Sequence, residues 1–175
     1  MKKGFMFLVV VTVLSLTLTG CHDIQEGLVS GSYEIEKTDL IPNTKYLDGE
    51  TLYVPIYSSV FHHQSALNYK LTATLSIHNI DLDNSIKLTK ADYYNTNGDL
   101  VQAYLEDVLI LKPLQVIQIV IQEEDERGGT GANFLVEWVS ETDVNSPIVE
   151  AVMISARGQQ GISFISPGRV IKYLE

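Results

Sequence analysis

Apolar residues along this chain alternate with polar ones at a period of two and show no sustained 3.6-residue recurrence. The clearest run is Tyr69 to His78, in which Tyr69, Leu71, Ala73, Leu75 and Ile77 fall on one face and Lys70, Thr72, Thr74, Ser76 and His78 on the other. Such alternation is that of a half-buried strand. Leu52 to Tyr57 reads as another strand, with Pro55 restricting it to an edge or a bulge because proline cannot donate to a ladder. Ser85 to Tyr94 places Ile86, Leu88 and Lys90 on one face and Lys87, Thr89 and Ala91 on the other. Asn97-Gly98 then signals a hairpin, since both residues tolerate positive φ, with Leu100 to Leu105 returning. Val108 to Leu111 is a short apolar run stopped by Pro113, and Gln115 to Gln122 is β-branched enough to be buried partly on both faces. Phe134 to Val139, Ile148 to Ser155, Gly161 to Ile165 and Val170 to Leu174 complete the strands. Short strands at this spacing, separated by turn residues, predict an all-β fold, a β-sandwich of about seven to nine strands.

The first residues follow a different pattern. Lys2 and Lys3 precede an apolar stretch from Phe5 to Leu18, which is shorter than the roughly 20 residues a bilayer-spanning helix needs. It has the form of the apolar region of a secretory signal. Leu18-Thr19-Gly20-Cys21 follows, and it resembles the bacterial lipobox of lipoprotein signal peptides. That resemblance implies cleavage between Gly20 and Cys21 and a lipid on the Cys21 thiol. It divides the chain into a signal peptide (residues 1–20), a lipidated Cys and polar spacer (21–50) and a β-sandwich domain (51–175), with one strand of the spacer around Tyr33 to Ile35. Two or three acyl chains anchor stably where one does so marginally. His22 after the Cys, where Asp would signal inner-membrane retention, implies an outer-membrane location facing the periplasm in a Gram-negative host. In any other host the outer face of the cytoplasmic membrane is implied.

Composition narrows the function. With 12 basic and 22 acidic residues in 175, the net charge is −10, which argues against nucleic acid as a partner because phosphates require a basic surface. A single Cys excludes an intrachain disulfide framework and multi-Cys zinc sites. No cofactor is expected.

Two further resemblances bear on the fold. Tyr93 to Val101, followed by Leu111-Lys112-Pro113-Leu114 and a β-branched strand, resembles the middle of immunoglobulin-like modules on bacterial surfaces. The sandwich is accordingly expected to be immunoglobulin-like. Over a longer range, Leu52 to Ser58, Ala73 to Asn79, Gly128 to Trp138, Pro147 to Met153 and Gln160 to Phe164 are similar to a bacterial envelope family known as domain of unknown function 3124. The similarity runs from about Leu52 to Arg169 and implies no activity.

Several segments could carry chemistry. Glu123, Glu124, Asp125 and Glu126 precede Arg127, Gly128, Gly129, Thr130, Gly131, Ala132 and Asn133. Four consecutive carboxylates diverge at a strand end and do not form the six- to eight-oxygen cage calcium takes. The glycines suit a wide turn with positive φ at Gly128, Gly129 and Gly131. Of these residues, Glu123, Glu124, Asp125, Gly128, Gly129, Gly131 and Asn133 are the candidate ligand or partner loop. Asp81 to Ser85 imitates the start of a calcium loop, but Ile86 replaces the required glycine and Asp92 the terminal glutamate, so an inter-strand turn is expected. His62 and His63 read as a polar loop, and His78 as the outer face of its strand. The tyrosines read as core and cross-strand residues. No nucleophile elbow is present. The expectation is therefore a non-catalytic binding module of the cell envelope, tethered to the bilayer by its N-terminal lipid, with another envelope protein or a glycan as partner. The alternative is an envelope hydrolase acting on glycan or cell wall, with Glu137 and Glu150 as its carboxylates.

Overall fold

The computed structural model describes residues 28–30, 36–39, 45–62, 64–156 and 161–174. The signal-like segment with Gly20 and Cys21, the strand expected at Tyr33 to Ile35, and His63 lie outside the described residues.

The chain forms strands β1 (Leu28–Ser30), β2 (Glu36–Thr38), β3 (Asp48–Ile56), β4 (Ser59–His62), β5 (Gln64–Lys70), β6 (Thr72–His78), β7 (Ile86–Tyr94), β8 (Leu100–Ala103), β9 (Val108–Leu111), β10 (Val116–Ile121), β11 (Ala132–Ser140), β12 (Ile148–Ser155), β13 (Ile162–Pro167) and β14 (Arg169–Tyr173). One sheet has the order β1-β10-β6-β12-β13 and the other β14-β3-β11-β7-β9-β2, with β8 beside the second half of β7. β4 and β5 form a separate hairpin. The protein is thus an all-β, immunoglobulin-like sandwich. Relative to the constant-type order, β3 lies beside β11 and β12 beside β6, so the first and last long strands have exchanged sheets.

There are more strands than the pattern predicts, for local reasons. Leu28–Ser30 and Glu36–Thr38, too short and polar to register as strands, add to the edges at β10 and β9. The run from Tyr69 to His78 is divided at Leu71, whose amide donates to the Ser58 carbonyl (2.9 Å). His62 lies in the β4–β5 hairpin rather than in a loop, with its ring edge-on to Tyr69 at 5.4 Å.

The core lies between the sheets. Leu71, Ala73, Leu75 and Ile77 are fully buried, as their alternation requires, and face Val54, Ile56, Phe134, Val136 and Trp138 across the gap. β10 is buried on one face only, through Ile117, Ile119 and Ile121, because its other face is the outside of its sheet. In β7 the expected phase holds through Leu88 and then slips. Glu137 pairs with Lys90 and Trp138 with Leu88, so Thr89 is an extra residue, and Ala91 and Tyr93 turn inward. A bulge of this kind preserves burial after the strand bends. Pro55 lies near the end of β3, opposite Asn133 of β11 and beyond the last β14 residue paired to β3, where a missing N–H on the β14 side costs no ladder bond.

One end of the sandwich is built around Asp81. This buried carboxylate accepts amide hydrogens from Asp83 (3.0 Å), Asn84 (2.8 Å) and Asn145 (3.1 Å), tying the β6–β7 loop to the β11–β12 loop. Asn79 beside it donates to the carbonyls of Asn84, Leu111 and Lys112. These amides, led by that of Asn145, lower the Asp81 pKa to about 2. The calcium-like motif is therefore an inter-strand loop whose first carboxylate is consumed by backbone donors. At the neighbouring turn the Gln115 amide donates to Lys112 O (3.0 Å) and Leu114 sits at φ 60°. This is a position where a type II turn favours glycine, and Leu114 is nevertheless 64% exposed.

Two outcomes test this end. Leu114→Gly should stabilise the protein by about 1 kcal/mol in urea unfolding, since it relieves a left-handed conformation at a side chain that is mostly exposed. The Asp81 contribution should be complete above its unfolded pKa of about 3.9 and be lost as pH falls through about 2. In unfolding curves between pH 5 and about 2, Asp81→Asn should flatten that acid limb.

Candidate functional site

The Glu123–Asn133 loop leaves β10 at the opposite end and folds over the β7–β8 turn. That turn has Gly98 N–H bonded to Asn95 O and Asn95 N–H to Asp99 O, both at 3.0 Å. Only Gly98 has positive φ (84°), and Asn97 does not. The side-chain Oδ1 of Asn95 accepts the amides of Asn97 and Asp99 and holds a three-residue loop. Thr96, at its tip, donates N–H and Oγ1–H to Gly128 O (3.0 Å each), and its Oγ1 accepts the Gly131 amide (3.0 Å).

The carboxylates are divided among separate partners. Asp125 accepts Arg127 Nε (2.9 Å), Nη2 (2.7 Å) and the Arg127 amide (3.0 Å), while Arg127 also donates to Gln102 Oε1 (3.1 Å). The guanidinium hydrogen bonds hold the Asp125 carboxyl below its ordinary value. Glu126 pairs with Lys70 of β5, and Glu124 is exposed. Glu123 is half-buried in the turn closed by the Asp125 amide on Gln122 O (3.0 Å). Asn133, second in β11, lies on the outer face of its sheet, opposite Pro55 and Tyr94, and takes no part in the loop's contacts with Thr96.

The glycines have different roles. Gly129 has positive φ (74°), but Gly128 and Gly131 do not, contrary to expectation. At Gly128 the requirement is space. A Cβ there would lie 1.8 Å from Tyr93 Oη and 2.6 Å from its Cζ. Tyr93 is fully buried, stacks on Phe134 (5.1 Å) and bonds Ser58 Oγ (2.8 Å). Tyr104 closes the same aromatic group against Phe134 (5.7 Å). Burial pushes the Tyr104 phenol up to about 12. At Gly131 a Cβ would meet the Thr96 methyl at 3.3 Å. The loop is thus a packed lid over an aromatic cluster rather than a freely solvated turn.

The other candidates are dispersed. Glu137 lies on the outer face of the seven-stranded sheet and accepts Thr89 Oγ1 (3.0 Å) and Thr51 Oγ1 (3.3 Å). Glu150 lies on the outer face of the other sheet, on β12. The core separates the two, so they do not form an acid–base pair. His78 ends β6 a strand's length from the β4–β5 hairpin that carries His62.

Residues 49–171, from β3 to β14, match the family described as protein of unknown function DUF3124. The chain belongs to that family. The matched range of this DUF3124 chain takes in the core strands, the lid and the Asp81 end, and leaves out β1 and β2. A comparison with curated proteins finds no match. Among solved structures the chain is similar to Thermotoga maritima 1070, at 9% identity over 69% of this chain and 92% of that one, with a TM-score of 0.44.

Sequence reasoning missed Glu50. It shares the parity of Leu52, Val54 and Ile56 and therefore points inward with them. Extending the alternation of β3 by one period would have found it, but the domain boundary expected at Thr51 cut it off.

Gly128→Ala should destabilise by about 2–3 kcal/mol through overpacking against Tyr93. In a double-mutant cycle by urea unfolding, Tyr93→Phe should recover part of that loss, because it removes the atom a Cβ would strike first. Strict additivity would show that the contact does not govern the position.

Proposed function

We propose that this chain is a lipid-anchored, non-catalytic interaction module of the bacterial cell envelope, held to the bilayer through Cys21. The observation that carries this reading is Leu18-Thr19-Gly20-Cys21, with the sole cysteine of the chain directly after a short apolar segment. The separation of Glu137 from Glu150 across the core removes the carboxylate pair on which the hydrolase alternative rested.

The direction of β1 supports a particular orientation. Leu28 lies opposite Ile119 and Ser30 opposite Ile117, so the chain before β1 leaves from the end that carries the lid. Between Cys21 and Leu28 the backbone reaches at most about 25 Å. In this reading the lid faces the membrane, and the Asp81 end, with exposed Leu82 and Leu114, faces away toward an envelope protein or glycan. In a Gram-negative host the membrane is the outer membrane seen from the periplasm; otherwise it is the outer face of the cytoplasmic membrane.

Cys21→Ser should move the protein from the membrane fraction to the soluble fraction. Mass spectrometry of the wild-type N-terminal peptide should give a diacylglyceryl thioether on Cys21, and a membrane-extracted protein with an unmodified thiol would overturn the proposal.

A further inference from the structure

β13 and β14 are one run of chain that leaves the edge of the five-stranded sheet, turns at Gly168 and joins the edge of the other sheet. The Gly168 amide donates to Val149 O (2.8 Å), and a Cβ there would approach that oxygen to 2.8 Å. Beside this crossing a cavity of about 430 Å³ opens to solvent, lined by Glu50, Leu52, Pro147, Val149, Glu150 and Val170 among others. That volume accommodates a small molecule.

Glu50 is the unusual group in this cavity. It is 7% exposed, and its carboxylate accepts Trp138 Nε1–H (3.2 Å) and Ser146 Oγ–H (3.2 Å). Both donors are neutral. Among the described residues no Lys or Arg pairs with it. A buried carboxylate is costly unless a positive charge compensates it, and an ionised one has about four acceptor sites, of which two are used here. Glu150, at the rim, adds a second negative charge and disfavours anions. Apart from Ser146, the remaining wall is apolar, suited to a hydrocarbon stem. Among the described residues no three His, Cys, Asp or Glu side chains gather as a metal would require.

We infer that this cavity binds a small organic cation of the alkylammonium class, its ammonium on Glu50 and its stem against Leu52, Val149 and Val170. The inference is independent of the membrane tether, and its test leaves Cys21 intact.

Trp138 is the only tryptophan and touches Glu50 directly, so its fluorescence reports occupancy. The full chain in nonionic detergent would be titrated with n-butylammonium, n-butanol and butyrate at constant ionic strength. A saturable change is expected with n-butylammonium alone. Glu50→Gln keeps an acceptor for the indole and should weaken binding by roughly tenfold or more, as expected for loss of a charge-assisted hydrogen bond. Glu150→Gln, at the rim, should weaken it by less than about threefold. N-acetyl-lysine amide, as a further arm, distinguishes a lysine side chain from a free amine as the source of the ammonium. Equal responses to n-butanol and n-butylammonium in the wild type would overturn the inference without any variant. So would an unchanged affinity in a Glu50→Gln protein whose thermal melt shows it folded.

Discussion

Two sheets share one apolar gap, and every strand must present its alternate residues to that gap in phase with its neighbours. The inward sets of β6, β10 and β12 meet those of β3, β7, β9 and β11 there. Several of the polar groups that the packing carries inward are satisfied close to where they sit. Asp81 takes three backbone amides, Asn79 spans three carbonyls, Tyr93 bonds Ser58, and Glu50 takes an indole and a hydroxyl. Each is paired within its own loop or its immediate neighbours, as low-dielectric surroundings demand.

The same constraint makes the two ends different in kind. At the Asp81 end, side chains reach out to backbone amides and bind loops of both sheets together, leaving Leu82 and Leu114 on the outside. At the other end, the backbone of the lid descends onto an aromatic cluster, with Thr96 acting on it as donor and acceptor and Gln102 and Lys70 taking Arg127 and Glu126. The first arrangement depends on charge and so responds to acid. The second depends on shape and responds to a single added carbon.

Much of the architecture was legible because burial imposes a period of two. Leu71, Ala73, Leu75 and Ile77 needed no further information, nor did the strands at β11, β12, β13 and β14. What escaped was wherever the period broke or where contact distant in sequence decided. Thr89 shifts the phase of β7 by one residue to suit Glu137, a residue 48 positions away. Leu28–Ser30 and Glu36–Thr38 are strands only because β10 and β9 offer them an edge. The glycines of the lid announced a turn, but a glycine conserving space above a buried phenol is indistinguishable in sequence from one supplying positive φ. The acidic run likewise read as four like groups, whereas Arg127 and Lys70 assign Asp125 and Glu126 to different duties. Glu50 was masked by a boundary drawn one residue too late.

The crossing at Gly168 has a consequence for how the sandwich opens. β13 covers the free side of β12, and β14 covers that of β3, yet the two covers are one ribbon. Lifting it bares the outer edges of both sheets in one event, so amide hydrogens on β12 and β3 belong to a single cooperative exchange unit, although they lie in different layers. A ligand seated beside the ribbon would slow solvent exchange on both layers together.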